Sequence, residues 1–153
     1  MSTLRCYQPL KIVAHDERGL SLMSATLQDA VGKVGDIAYL PDMRRFAFVT
    51  NRFVWECAVD RRHGPFARVR AGAHFDDVLS VRQQNLLLDR KAGVVALLAV
   101  RFEAGADGGG AIILDFAGGG AIRLEVEAIN GAVSDMSDPW PTASRPAHGE
   151  EAG

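Results

Sequence analysis

Gly108-Gly109-Gly110-Ala111-Ile112-Ile113-Leu114-Asp115-Phe116-Ala117 is followed at once by Gly118-Gly119-Gly120-Ala121-Ile122-Arg123-Leu124-Glu125-Val126-Glu127. Two glycine triplets, each leading a run that alternates apolar with polar residues, predict two antiparallel strands joined by a tight turn. Ile112, Leu114 and Phe116 then share a buried face with Ile122, Leu124 and Val126. Arg123, Glu125 and Glu127 face water, where Arg123 has acidic neighbours to pair with. The same triplets invite a phosphate-binding reading. That chemistry needs a glycine loop entering a helix, whose free N–H groups meet the phosphate. Here each triplet enters a strand and no Lys-Ser or Lys-Thr follows, so the glycines are read as turn-makers.

The rest of the chain is mostly strand as well. Leu10 to Ala14 is a short strand candidate, and Asp16 caps one amphipathic helix carrying Leu20, Met23, Leu27 and Ala30 or Val31 on its stripe. Gly32 and Gly35 are read as its end. Residues 36–56 form a hairpin about the turn Pro41-Asp42-Met43-Arg44. In its long second strand, Ala47, Val49, Phe53 and Trp55 share one face, and Phe46, Phe48, Thr50, Arg52, Val54 and Glu56 share the other. Both faces carry apolar residues, which predicts a central position; Asn51 marks a bulge or a buried hydrogen bond. Residues 58–72 are read as the main surface loop, with further strands over 78–88 and 94–102, the latter buried on both faces. The expected fold is α+β, mostly β: about seven or eight antiparallel strands in a sandwich or half-open barrel, with one helix. Residues 1–138 make a single domain. Residues 139–153, rich in Pro, Ala and Glu, make a disordered tail.

A chain of 153 residues needs neither metal nor disulfide to fold. Cys6 and Cys57 are expected as two reduced, largely buried thiols, a disulfide needing a secreted context. No apolar leader or long apolar span is present, so a cytoplasmic protein without a membrane partner is expected. His15, His63, His74 and His148 show no ligand spacing, so neither metal nor cofactor is expected.

The strings LQDAVGKVGDIAYLP (27–41), RRFAFVTNRFVWE (44–56), FDDVLSVRQQ (75–84) and GGAIRLEVEAIN (119–130) occur in an order and spacing that resembles a family of small uncharacterised bacterial proteins, a domain of unknown function. The resemblance spans roughly residues 8–140. It implies a single-domain cytoplasmic bacterial protein and assigns no residue a role.

Three functions are weighed. The favoured one is a non-catalytic binding or assembly module, with a homo-oligomer or another protein as partner, because no catalytic grouping is visible. The second is a ligand-binding protein or enzyme with a pocket assembled in space. Arg52 and Glu56, four apart on one strand face, and His74 with Asp76 are its candidates. Pairing within the sheet is the blander account of the first two, and a loop capped by aspartates that of the others. The third is a polyanion surface built from Arg61, Arg62, Arg68 and Arg70. The formal charge of −2 gives no general reason to expect nucleic acid.

Overall fold

The structure, a computed structural model, describes residues 5–58, 65–86 and 90–143. It is α+β and mostly β, one antiparallel sheet with one α-helix. The elements run β1 (Lys11–Ala14), α1 (Glu17–Leu27), β2 (Val31–Lys33), β3 (Ile37–Leu40), β4 (Arg45–Phe53), β5 (Phe66–Phe75), β6 (Val78–Gln84), β7 (Val94–Ala104), β8 (Gly110–Phe116), β9 (Ala121–Val126), β10 (Gly131–Asp135) and β11 (Trp140–Thr142). The hydrogen-bonded path is β1-β10-β5-β4-β2-β7-β8-β9-β6, with β3 added to β4 and β11 to β5. Its two ends do not pair, so the sheet is not closed.

The sheet has 11 strands rather than seven or eight. The strands beyond that expectation are β2 and β11, of 3 residues each and too short to show a period, and β5. β11 lies within the segment expected to be a tail: Trp140, Pro141 and Thr142 pair with Arg68, Ala67 and Phe66. Residues 66–72, expected as loop, are the first part of β5, which pairs with β4 along eight residues from Phe46↔Phe75 to Phe53↔Arg68. β7 is also less buried than its composition suggests. Leu97 and Val100 are buried, but Val94 is 66% exposed because it lies at the rim beside Lys33.

The helix begins as its cap predicts. Asp16 Oδ1 accepts the Gly19 N–H at 2.8 Å, and Leu20, Met23 and Leu27 are buried against β7 and β1. It stops earlier than Gly32. Asp29 takes a positive φ of 64° and its N–H bonds Leu97 O, turning residues 31–33 into strand.

The tandem repeat forms the β8–β9 hairpin. Ile112 faces Leu124 and Leu114 faces Ile122, all buried, and Gly118 and Gly119 make the turn with φ of 90° and 94°. Their side chains meet Phe46 and Phe48 of β4, Ala73 and Phe75 of β5 and the helix in one core, so the two arms of the strand path enclose it together. Among the described residues, no helix is long and apolar enough to cross a membrane.

Candidate functional site

β4 is central, as its two apolar faces predict, but one of its edges is incompletely covered. β3 pairs with Arg45 to Phe48, and β2 reaches Asn51 through Val31 alone. In between, residues 32–36 leave β4. Gly32 and Lys33 pair with Val95 and Val94 of β7, while the N–H groups of Val34 and Gly35 bond Gly93 O and Lys91 O. The connecting chain therefore sets residues 32–36 against only Val49 and Thr50, and the sheet opens at that point. Gly32 allows the close approach at the edge of the opening: a Cβ there would lie 3.0 Å from Val49 O.

On the inner side is a narrow apolar space between Phe46, Phe48, Leu97, Leu114 and Phe116, with room for about one water molecule. On the outer side is an open groove of about 470 Å³ walled by Val31, Lys33, Asp36, Asn51, Arg70 and Val94. Gly32, Lys33, Val49 and Thr50 border both spaces. Thr50 Oγ1 and Asn51 Oδ1 are buried here and have no hydrogen-bond partner among the described residues. An unmet buried polar group costs about 1–3 kcal/mol, so two on successive residues stand out. Lys33 is exposed, and Arg70 faces Asp36 across 3.8 Å.

One residue further along β4 the geometry is the opposite. The Arg52 side chain is 1% exposed and all five of its N–H donors are used. Nε and Nη2 meet Asp135 Oδ1 and Oδ2 at 2.8 and 2.9 Å; Nη1 and Nη2 meet Glu56 Oε1 and Oε2 at 3.1 and 2.9 Å; Nη1 also meets Phe53 O at 3.2 Å. Asp135 Oδ2 further accepts Tyr7 Oη at 2.8 Å and the Leu10 N–H at 2.9 Å. Burial alone would lower the Arg52 pKa, but the bonds to Asp135 and Glu56 outweigh it and raise it above the ordinary arginine value. Burial would likewise raise Asp135, yet Arg52, the Leu10 N–H and Tyr7 hold its carboxyl below the usual range. Tyr7 is pushed above its ordinary value, by burial first and then by the Asp135 bond. The structure thus brings Arg52 and Glu56 together, and it spends Arg52 entirely on internal partners. Asp135 and Tyr7, the members that complete this cluster, carry no local sequence signal, since both lie far from Arg52 in the chain.

Cys6 and Cys57 form a disulfide beside this cluster, tying the N-terminal segment to the turn Trp55–Cys57. This corrects the expectation of two reduced thiols. The two cysteines are 51 residues apart, and antiparallel pairing of distant strands is what brings their segments together.

His74 and Asp76 also come close, with Nε2 3.7 Å from Oδ2, at the end of β5. Asp76 is engaged chiefly by Arg45, whose Nε and Nη2 lie 2.7 and 3.2 Å from its oxygens. That bond holds the Asp76 pKa below its ordinary value, leaving a poor proton acceptor. Arg68 and Arg70 sit on β5 rather than in a loop. Arg68 Nη1 donates to Asn51 O at 2.9 Å and to Asp29 O at 3.3 Å, and the guanidinium lies 5.8 Å from the Phe53 ring centre. Burial lowers its pKa, with Asp29 opposing. Arg70 is the one of these arginines that borders the groove. Arg61 and Arg62 lie outside the described residues. Among the described residues, no group of three or more His, Cys, Asp or Glu gathers in a way that could hold a metal ion.

Residues 10–148 match the family described as "Protein of unknown function (DUF2948)", and the chain belongs to that family. No curated protein matches it. No solved structure matches it either.

Proposed function

We propose that this protein is a non-catalytic binding module that takes a small molecule in the groove where residues 32–36 part from β4. The observation that carries this reading is the polar groove walled by Lys33, Asp36, Asn51 and Arg70, which shares Gly32, Lys33, Val49 and Thr50 with an apolar interior space and lies beside two buried oxygens, Thr50 Oγ1 and Asn51 Oδ1, that have no partner among the described residues. The charged clusters elsewhere offer little to a substrate, since Arg52 has no free donor and Asp76 is held by Arg45.

A fragment screen by ligand-observed NMR tests the reading. Hits are expected to compete for one site and to be lost in Gly32→Val, whose larger side chain presses on Val49 O and fills the opening. Hits that survive this substitution would place binding elsewhere. Self-association, the other half of the expectation from sequence, is read by light scattering over a concentration series. The disulfide favours an oxidising compartment over the expected cytoplasm.

A further inference from the structure

The groove's charges have a pattern of their own. Arg45, Arg52, Arg101 and Arg123 all reach a carboxylate at 2.7–2.8 Å, the distance of a charge-assisted hydrogen bond. Arg70 and Asp36 stand 3.8 Å apart, the longest arginine–carboxylate pair among the described residues. Both are close to half-exposed, at 46% and 40%. They face each other across the groove mouth without a good hydrogen bond, so a polar group of either sign can come between them at little cost.

The walls specify what such a molecule carries. Arg70 and Lys33 offer only donors and call for an anionic head. Asp36 is an acceptor and calls for a donor, best a cationic one. Val31 and Val94 supply an apolar wall beside them. Thr50, 7% exposed with an unmet hydroxyl, lies at the base of the opening. A simple carboxylic acid would satisfy Arg70 and Lys33 and leave Asp36 bare, and an amine would do the reverse.

We propose that the groove binds a small α-amino acid with an apolar side chain, its carboxylate on Arg70 and Lys33, its ammonium on Asp36, and its side chain against Val31 and Val94. The assignment rests on the groove being the binding site and adds the ligand's chemistry to it.

The test is a titration of the full ¹⁵N-labelled chain with L-valine, and separately with isovalerate and isobutylamine, following backbone amide shifts. Valine is expected to give saturable shifts confined to residues 31–36, 49–51 and 70. The two single-charge analogues should bind at least roughly tenfold more weakly, because each leaves charged partners unmet. Arg70→Gln and Asp36→Asn should each weaken valine by a similar factor while the melting temperature stays unchanged. Isovalerate binding as well as valine, either variant binding valine normally, or no saturable shift with valine would overturn the amino-acid assignment. If screened fragments still shift the groove amides when valine does not, only this assignment falls. If no small molecule shifts them, the binding-module reading falls with it.

Discussion

Thr50, Asn51 and Arg52 are consecutive residues of one strand with opposite fates. Arg52 ends in a buried cluster where every donor is answered, closed over by Tyr7, Leu10 and a disulfide. Thr50 and Asn51, a few ångströms away, have buried oxygens that nothing answers among the described residues. Both environments lie on the same central strand, so strand identity does not separate them. What differs is the neighbour. At Arg52, β10 and the N-terminal segment arrive with Asp135 and Tyr7. At Thr50, the expected neighbour has left to pair with β7. Folding therefore completes one polar site and leaves the other incomplete.

The comparison is broken most forcefully at Asp135. Asp135→Ala leaves the Arg52 charge buried with two of its five bonds gone, and such a loss costs about 3–5 kcal/mol. Urea denaturation should show it, and a loss under about 1 kcal/mol would mean that the cluster is not the keystone described. The same carboxylate predicts a pH dependence. Its folded pKa lies below the unfolded value, so its stabilisation is present above about pH 4 and is lost as pH falls through the lower folded value. Asp76 acts in the same direction. Tyr7, with its pKa raised, adds the opposite limb, stability lost as pH climbs past about 10. Tyr7→Phe should remove that alkaline limb and keep the acid one.

Next in size is the disulfide that fastens this closed region. Linking residues 51 apart removes unfolded-chain entropy worth about 4 kcal/mol on the loop-closure estimate, with measured cases usually nearer 2–4. Cys6→Ser, or reductant added to the unmodified chain, should lower the melting temperature. A thiol assay of the unreduced, denatured protein should find no free cysteine. A full count of two thiols would restore the reduced state that composition alone suggests.

The face alternation of β4 is legible in the sequence: Phe46, Phe48, Thr50 and Arg52 are the buried set, as their period of two requires. So is the β8–β9 hairpin, because its turn glycines and its alternation lie within one contiguous stretch. Arg52 and Glu56 are legible as a pair for the same reason, being four residues apart. Asp135 is not, since 83 residues separate it from Arg52 and only the β10–β5–β4 pairing unites them. The groove is the least legible feature. Lys33, Asn51 and Arg70 come from three strands, and the opening exists only because β7 competes with β4 for residues 32–33. No local pattern records a competition between two distant strands. Residues 140–142 are hidden for a similar reason: Trp140-Pro141-Thr142 reads as linker by composition, and β5 offers it an edge to pair with.

At Thr50 the sign of a substitution should reverse. Thr50→Val keeps the branched shape, deletes an unmet hydroxyl and should stabilise the fold by about 1 kcal/mol. A comparable destabilisation instead would show that the hydroxyl has a partner in solution, and the contrast with Arg52 would narrow to Asn51. If the groove is a binding site, the more stable variant should bind less well, the usual exchange between stability and function.

The smallest effect on stability is expected at the groove mouth, and its smallness is what makes it informative. Arg70 and Asp36 are nearly half-exposed and 3.8 Å apart, so solvent screens most of their attraction. Arg70→Gln and Asp36→Asn should each change unfolding free energy by less than about 0.5 kcal/mol, against several for Asp135→Ala. An ion pair that contributes nothing to folding, close to one that contributes heavily, is free to contribute to something else. If instead either substitution costs as much as opening the Arg52 cluster, the groove is a second structural site and the two regions differ only in solvent exposure.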